Sequence, residues 1–592
     1  MREVLYANHA CPGTDPKTAV RTLAEWYPGT VEPTPELHRA LAFLESELVA
    51  DTVVRAGYVA AVPASLLSLC VLLFAVPGLP APASVPAAAG VGLGVTHTIH
   101  RLPVAAASLR RTRALGDAPG LVARAALRLR LDPTPERAAI FAARTGTGPL
   151  ARSLAAHAER TRGDPAAGFG GFADEWREWF PALDRSTSLL VAAVDAPEAE
   201  RDRALDRALE TVLDGAREEM ASFAGEIRGP TSGIYAFGVL LPLALVGVVP
   251  AARAGGVSIP TTLFVGLYNV VLPVGLVVAG AWLLLQRPIA LPPARVRSAH
   301  PDVPSGPSRG VLAGVCGTVL GAAVGSVVAE WAAPVAAVGV GVGAGLAVHY
   351  RPMARVRRDV RAIESGIADA TAVVGRRVSD GESVETAIRS AADATTGRTS
   401  DLFATAAGVQ RRLRIGVRRA FLGEYGALSH VPSPRTRATA SLLAVAAAQG
   451  RPAGTTLVTL ADHLTELRRV EAEARRELAA ITGTLRHTAA VFGPLVGGAT
   501  VAMATRMAAS EATLGASGSP AAAAPGAAVL PASTLGVAVG AYVLALAAIL
   551  TAVATGLNRG LDRALVGYRI GLALLSATPT YLVAYLGASM LF

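Results

Sequence analysis

Two groups of arginines are the side chains of this sequence best suited to bind a charged partner. The first lies in "QRRLRIGVRR" (410–419) and the second in "RRVEAEARR" (468–476). Guanidinium groups bind carboxylates and phosphates, so these residues could recognise an acidic protein or anionic lipid headgroups. A solvated helix face, paired in part with glutamates of the second stretch, is the alternative. The candidate partner-binding residues are Arg411, Arg412, Arg414, Arg418, Arg419, Arg468, Arg469, Arg475 and Arg476.

Other chemistry is poorly represented in the sequence. A phosphate-binding GxxxxGK[ST] loop is excluded because Lys17 is the sole lysine. His97 and His100 share a helix face without further ligands nearby, and the three cysteines lie far apart. Nucleic acid is the least expected ligand, because aromatic residues do not alternate with the arginines. We therefore expect no catalytic residue, no cofactor, no metal and no nucleic acid.

The elements that position the arginines are predicted to be membrane helices and helical domains between them. The chain has 592 residues, of which 52% are hydrophobic and 17% charged, and its mean hydropathy is +0.43. This is too apolar for an ordinary soluble protein, and a bilayer requires about 20 apolar residues per spanning helix. About nine segments reach or approach this length: 56–79, 83–100, 233–252, 261–286, 310–329, 331–349, 488–505, 533–556 and 566–590.

These segments predict an all-α polytopic membrane protein with two cytoplasmic helical-bundle domains. The predicted parts are an N-terminal cytoplasmic segment (1–55), spans one and two (56–100), the first cytoplasmic domain (101–232), spans three and four (233–286), a Pro/Arg-rich linker (287–309), spans five and six (310–349), the second cytoplasmic domain (350–487), spans seven and eight (488–556), and a basic loop with span nine (557–592).

The distribution of basic residues predicts the orientation. If the N-terminus is cytoplasmic and all nine spans are real, 53 of the 55 basic residues lie on the cytoplasmic side. Only Arg253 and Arg506 then lie outside, both at span ends. The positive-inside rule therefore predicts a cytoplasmic N-terminus and an external C-terminus in the cell membrane.

An internal repeat is indicated by "SVETAIRSAAD" (383–393), which aligns without a gap on "TPERAAIFAAR" (134–144) at a shift of 249 residues. We expect Gly381 to end one helix in a left-handed conformation and Ser383 to cap the next. The residues of this predicted helix-hairpin motif are Gly381, Ser383, Glu385 and Ala387.

The predicted spans repeat with the same period. Two spans, a helical domain and two further spans form one unit over 56–286 and a second over 310–556. Because four spans return the chain to the same side, the two copies share their orientation, and span nine follows them. Apolar residues at helical spacing in 196–220 and 462–481 predict a long amphipathic helix in each domain.

Glycine-rich stretches occur within the predicted spans. "GVGLG" (90–94) and "GVGVGAG" (339–345) lack the strand–turn–helix context of a nucleotide-binding loop. Close packing of membrane helices explains such stretches better.

Three stretches of the second domain together resemble the type II secretion system F family. They are "SDGESVETAIRSAAD" (379–393), "GRPAGTTLVTLADHLTELRRVEAEARREL" (450–478) and "GTLRHTAAVFGPLVGG" (483–498). The first domain resembles the family only loosely. Asp132 occupies the position that corresponds to Gly381, and the first domain has no clear counterpart of "GRPAGTTL". The nine-span layout is more similar to the archaeal pilus, archaellum and tight-adherence branch than to the compact three-span bacterial form.

The resemblance implies a scaffold without catalysis of its own. Members of this family are inner-membrane platform proteins of type IV pilus-like and type II secretion-like machines. They bind a cytoplasmic hexameric P-loop ATPase and act on pilin-like subunits extracted from the membrane. On this interpretation the arginines of 410–419 face the ATPase first and those of 468–476 second, and the chain is a homo-oligomer in contact with membrane lipid.

A transporter or channel made from two parallel four-helix repeats is the alternative, since such repeats occur in transporters. The nearly uncharged span centres, in which Asn269 is the most polar residue, argue against transport. A membrane enzyme is a third possibility, disfavoured by the lack of a convergent catalytic set.

Overall fold

The structure is a computed structural model of the chain. It describes residues 16–75, 81–146, 148–161, 167–254, 260–288, 296, 300–304, 306–449, 453–517 and 531–591. All regular secondary structure within these ranges is helical, which confirms the all-α class. Parts of the predicted segment 1–55, of the linker 287–309 and of "GRPAGTTL" lie outside the described residues. The chain divides into two compact units, 1–112 and 113–592.

The first unit contains four helices, the last of which ends just beyond it. They are α1 (Pro16–Glu25), α2 (Pro35–Phe43), α3 (Ala50–Ala75) and α4 (Ala81–Leu115). Helices α3 and α4 are in close contact, because the Thr96 hydroxyl donates to the Gly57 carbonyl at 3.3 Å. The His100 imidazole lies 3.2 Å from the Val54 carbonyl. This histidine therefore has a structural partner within its own helix pair.

The second unit begins with a bundle of short helices and continues into apolar helices. The bundle contains α5 (Ala118–Leu131), α6 (Pro135–Thr145), α7 (Gly148–Arg160), α8 (Ala167–Trp176), α9 (Pro181–Ala192) and α10 (Glu198–Glu226). The apolar helices that follow are α11 (Arg228–Tyr235), a π-helical turn (Ala236–Leu240), α12 (Leu241–Ala254), α13 (Thr261–Gly266), a second π-helical turn (Leu267–Val271) and α14 (Leu272–Leu285).

The remaining helices form a second bundle and further apolar segments. They are α15 (Ser308–Val328), α16 (Ala332–Ser379), α17 (Val384–Ala394), α18 (Gly397–Leu413), α19 (Val417–Leu422), α20 (Pro434–Gln449), α21 (Ala453–His487), a third π-helical turn (Thr488–Phe492), α22 (Gly493–Ser517), α23 (Ala532–Arg559) and α24 (Arg563–Leu591). The predicted domain boundaries at 232/233 and 349/350 fall inside helices, because α11 and α16 cross them without a break.

Among the described residues, eight helical runs are long and apolar enough to cross a membrane. They are Ala50–Cys70, Glu198–Val249, Thr261–Leu285, Ser308–Val328, Ala332–Ser379, Ala453–Met507, Ala532–Arg559 and Arg563–Leu591. The predicted count of nine is therefore not confirmed. The difference is segment 83–100, which lies in α4 and is less apolar because it contains two histidines, Pro86 and several glycines.

Glycines bring α15 and α16 together, as close helix packing predicts. The buried residues of α15 are all glycines, whereas its large apolar side chains are exposed. A Cβ added at Gly321 would lie 2.3 Å from the Ala336 carbonyl oxygen, and one at Gly341 would lie 2.1 Å from the Thr318 hydroxyl. In the first unit, a Cβ at Gly92 would lie 2.0 Å from the Ser65 hydroxyl. Both glycine-rich stretches therefore contain a glycine at a close helix contact.

The second bundle consists of α17 to α20 with the adjoining parts of α16 and α21, and it shares a hydrophobic core with the first bundle. Leu127 of α5 belongs to the same buried cluster as Val374 of α16, Phe403 of α18 and Leu457 of α21. The predicted amphipathic helices are confirmed, since 196–220 lies almost wholly in α10 and 462–481 lies in α21. Their apolar stripes are buried at positions such as Leu205 and Leu478. Because hydrophobic burial joins the bundles, they form one packed body.

Candidate functional site

The predicted helix-hairpin motif is a turn that places α17 against α16. Gly381 has φ +99 and its N–H donates to the Val378 carbonyl at 3.0 Å, so it ends α16 as expected. The Ser383 hydroxyl accepts a hydrogen bond from the Thr386 N–H at 3.2 Å, which confirms the cap. Ala387 is fully buried and Glu385 is exposed. The motif therefore anchors α17 through Ala387, while Gly381, Ser383 and Glu385 lie at the surface.

The first arginine group lies where α18 ends and α19 begins. Arg414 ends α18 in a left-handed conformation with φ +52. Buried Val417 and the Phe403–Phe421 ring pair, with centroids 5.5 Å apart, hold α19 against α18. We call residues 411–419 the basic hairpin. Its tip is fixed by packing although its charged side chains project outward.

The arginines of the basic hairpin are available to a partner. Arg411, Arg412, Arg414, Arg418 and Arg419 are all exposed, and within the described part of the chain none of them has a carboxylate at ion-pair distance. Leu413 (53% exposed) and Tyr425 (75% exposed) lie beside them in sequence. Arginine and tyrosine are enriched at the centres of protein interfaces. Sequence reasoning missed Tyr425, because nothing in the sequence alone distinguishes an exposed loop tyrosine from a buried one.

The second arginine group is partly engaged in contacts within α21. The Arg475 guanidinium lies 3.5 Å from the Glu471 carboxylate, as partial pairing along the helix predicts. The Arg476 Nε–H donates to the Ala472 carbonyl at 3.3 Å. Arg468 is half-buried and Arg469 is exposed. These four residues are thus divided between pairing on α21 and contact with solvent.

A charge network that the sequence did not reveal lies beneath α21. Glu471 is only 8% exposed and accepts hydrogen bonds from Arg435 of α20. Burial alone would lower the pKa of Arg435, but the adjacent Glu471 carboxylate outweighs it and holds that pKa above its ordinary value. On α5, burial lowers the pKa of Arg124 to about 10, although the Asp117 carboxylate opposes the shift. Sequence separation hid the Arg435–Glu471 pair, since 36 residues separate its two members.

Charged side chains also join α10 of the first bundle to α21 of the second. The Asp206 carboxylate lies 2.5 Å from the Arg130 guanidinium and 3.3 Å from the His463 imidazole. Arg217 of α10 binds Glu466 and lies 3.7 Å from Glu473. Glu473 therefore pairs across the interface instead of with the arginines of its own helix.

Buried tyrosines fasten the helices where they turn π-helical. The Tyr268 hydroxyl donates to the Pro242 carbonyl at 2.5 Å, and the Tyr542 hydroxyl donates to the Gly238 carbonyl of the first π turn. A Cβ at Gly238 would lie 2.3 Å from the Leu276 side chain. A carbonyl in hydrocarbon needs a partner within the protein, so these hydroxyls both satisfy and position the helix carbonyls.

An open groove lies between α11 and the end of α21 with the third π turn that follows it. Its volume is about 420 Å³, and Tyr235, Gly483, His487 and Phe492 are among its lining residues. The groove combines an aromatic side chain from α11 and one from the third π turn with a histidine and small residues.

No protein-family model, curated protein or solved structure matches this chain. The functional interpretation accordingly depends on the chain's own motifs and geometry.

Proposed function

We propose that the chain is a platform protein of a type IV pilus-like or type II secretion-like assembly machine in the cytoplasmic membrane. It couples a cytoplasmic hexameric P-loop ATPase to the extraction of pilin-like subunits and filament assembly. The observation that carries the proposal is the pair of helical runs, 52 and 55 residues long, that each begin in a bundle and end in a membrane segment. The resemblance of the second bundle to the type II secretion system F family agrees with it.

Each long run can transmit movement from the bundle to the bilayer. A helix of 52 residues is about 80 Å long, which is more than twice the thickness of a bilayer core. Packing and charge pairs hold α10 to α21, while Tyr542 fastens the first π turn to α23. A push or rotation applied to the bundles would therefore move membrane segments as rigid bodies.

The basic hairpin is the proposed contact with the ATPase. Its five arginines are exposed without carboxylate partners among the described residues, and the packed α18–α19 junction holds them in one place. Charge complementarity to an acidic ATPase surface would steer association and define orientation. The groove lined by Tyr235 and Phe492 is the proposed contact with the apolar helix of a pilin-like subunit.

The helix bounds support the proposed duplication. Helices α6 and α17 each contain 11 residues, and they begin at residues 135 and 384, a shift of 249. Helices α7 and α18 begin at the same shift with Gly148 and Gly397, whose φ values are +88 and +67. Asp132 corresponds to Gly381 but ends α5 without a left-handed backbone. Its backbone is extended, and its carboxylate accepts a hydrogen bond from the Thr134 hydroxyl at 2.6 Å.

The same correspondence bears on the number of spans. A shift of about 250 residues places α4 opposite the first part of α16, which contains a membrane segment. We therefore propose α4 as the second of nine spans, with a cytoplasmic N-terminus and an external C-terminus. In this arrangement both bundles lie on the cytoplasmic side.

Affinity purification of the full chain from its native cells tests the proposal. The wild type should recover a P-loop ATPase, and a variant with Arg411, Arg412 and Arg414 changed to Glu should lose it. A variant with Arg185, Arg203 and Arg207 changed to Glu is a matched control, since these arginines are also exposed but lie on the first bundle. Solute flux through the reconstituted chain, with no ATPase bound under gentle salt, would favour the transporter alternative.

A further inference from the structure

Arginines from four helices converge where the apolar segments meet the cytoplasmic bundles. They are Arg361 of α16, Arg475 and Arg486 of α21, Arg559 of α23 and Arg569 of α24. The Asn558 amide donates to the Thr482 hydroxyl at 3.4 Å, which places the end of α23, with Arg559, beside the part of α21 that carries Arg486. At this position Arg559 is repelled by the charges of the other four arginines. Arg569 is likewise repelled by Arg486 and Arg361. We call these five residues the junction cluster.

The nearby carboxylates do not neutralise the junction cluster. Glu471 is shared between Arg435 and Arg475, and Asp562 is paired with the buried Arg357. Glu364 attracts Arg361 but accepts a hydrogen bond from the Ser433 hydroxyl at 2.6 Å. Among the described residues, no carboxylate lies at ion-pair distance from the four remaining arginines, which are Arg361, Arg486, Arg559 and Arg569.

The positions of Arg486, Arg559 and Arg569 in the chain place these three residues at the level of lipid headgroups. Arg559 is the last residue of α23, and Arg486 comes two residues before the third π turn. Arg569 is the only charged residue in 566–590 and lies about 9 Å along α24 from its first residue, Arg563. Arg361 and Arg475 lie farther toward the bundles, because each is more than ten residues from the adjacent apolar segment.

Arg559 and Arg569, at the ends of apolar helices, would be stabilised by a bound anion. Arg559 and Arg569 are half-buried, so water solvates them incompletely, and like charges in such a site repel more strongly than in bulk water. A buried neighbour, Arg287, donates to the Gly556 carbonyl at 3.1 Å, which adds a further positive charge beside the end of α23.

We propose that the junction cluster binds the phosphodiester of an anionic membrane lipid, with Arg486, Arg559 and Arg569 as its direct ligands. Guanidinium groups form paired hydrogen bonds with phosphate oxygens, and basic pockets between membrane helices on the cytoplasmic side bind such headgroups. A lipid is favoured over free phosphate because the three ligands border apolar segments. The bound phosphate would join α21 to α23 and α24, and so connect the second bundle to the last two spans.

Native mass spectrometry of the full-length protein in detergent tests the assignment. The probes are phosphatidylglycerol, phosphatidylcholine and inorganic phosphate. The test variant is Arg559→Gln with Arg569→Gln, and the control is Arg203→Gln with Arg207→Gln, two exposed arginines of α10. Removing two arginines should weaken phosphatidylglycerol binding by roughly 30-fold, since each basic residue beside an anionic surface contributes about five-fold.

Arg486→Gln keeps the test decisive if the double variant does not fold, because Arg486 is exposed. It should weaken phosphatidylglycerol binding by about five-fold while the elution volume and helix content stay unchanged. Preference for phosphatidylglycerol over phosphatidylcholine in the wild type and the control, reduced in the cluster variants, would support the site. Equal phosphatidylglycerol binding by all variants would overturn it. Displacement of phosphatidylglycerol by millimolar inorganic phosphate would overturn the lipid assignment in favour of a soluble anion.

Discussion

Glu471 is the residue whose loss should damage the second bundle most clearly. Its carboxylate is 8% exposed and holds Arg435, which is 27% exposed, and Arg475, which is 49% exposed. The change Glu471→Gln keeps the shape of the side chain but removes the negative charge. Breaking a buried ion pair from one side costs about 3–5 kcal/mol. Because both arginines retain some access to water, we expect about 2–3 kcal/mol here.

Hydrogen–deuterium exchange of the full-length protein measures this loss where it occurs. A decrease of 2–3 kcal/mol in the local opening free energy corresponds to exchange about 30- to 150-fold faster. The faster exchange should be confined to the amides of α20 and the middle of α21. Glu477→Gln is the matched control, since Glu477 lies on the same helix but is exposed. Exchange in α20 that is equal for the two variants, within about twofold, would refute the assignment of Glu471 as the central carboxylate.

Three further predictions concern the membrane segments and the first bundle. Tyr542→Phe removes the donor to the Gly238 carbonyl and should lower the stability in detergent by about 1–2 kcal/mol, measured by thermal unfolding. Gly321→Ala should separate α15 from α16, because its Cβ would lie 2.3 Å from a backbone carbonyl oxygen, and should lower the same unfolding temperature. The Thr134 hydroxyl and the neighbouring arginines hold the pKa of Asp132 below its ordinary value of 3.8. The ionised Asp132 therefore stabilises the fold above pH 3.8, and this stabilisation is lost as pH falls through the folded-state pKa. Asp132→Asn should therefore flatten the loss of stability below about pH 4, measured by acid unfolding.

The tyrosine and glycine changes each have a control in the same chain, and a second variant tests the Asp132 contact. Tyr585→Phe should have little effect. The Tyr585 ring packs against Trp331 with 5.0 Å between the ring centroids, and its hydroxyl makes no hydrogen bond within the described residues. Gly314→Ala should be tolerated, because its nearest contact would be an ordinary 3.5 Å. Thr134→Val removes the first hydrogen bond to Asp132 and should raise the pH at which acid unfolding begins. The opposite order of stability in the tyrosine or glycine pair would contradict the corresponding contact. An unchanged onset of acid unfolding in Thr134→Val would contradict the contact of Thr134 with Asp132.

Local sequence patterns predicted much of the helical structure because they act over one or two turns. The cap at Ser383, the left-handed Gly381 and the amphipathic stripe of α21 depend on neighbours within a few residues. Apolar length alone located eight of the nine expected segments. Apolar length does not decide whether α4 spans the membrane. Glycines and histidines reduce the hydropathy of α4, and its contacts with α3 do not contribute to hydropathy.

Contacts between distant residues could not be predicted in the same way. The pairs Asp206–His463 and Arg217–Glu466 join residues about 250 positions apart, and no pattern in one sequence identifies such partners. The sequence indicated a basic surface but did not show that 468–476 is divided between buried pairing and solvent. The junction cluster was hidden for the same reason, since its members come from four separate helices.

Site-specific photo-crosslinking in living cells measures whether the basic hairpin contacts a P-loop ATPase. A photoreactive residue in place of Leu413, which is 53% exposed in the basic hairpin, would be activated in cells that assemble filaments. The same substitution at Arg203 of the first bundle is the control for position. A platform protein should give a crosslink from position 413 to a P-loop ATPase. The crosslink should weaken when Arg418 and Arg419 are changed to Glu, and none should form from position 203. A protein that supports filament assembly but gives no ATPase crosslink from position 413, or an equal one from position 203, would contradict this contact.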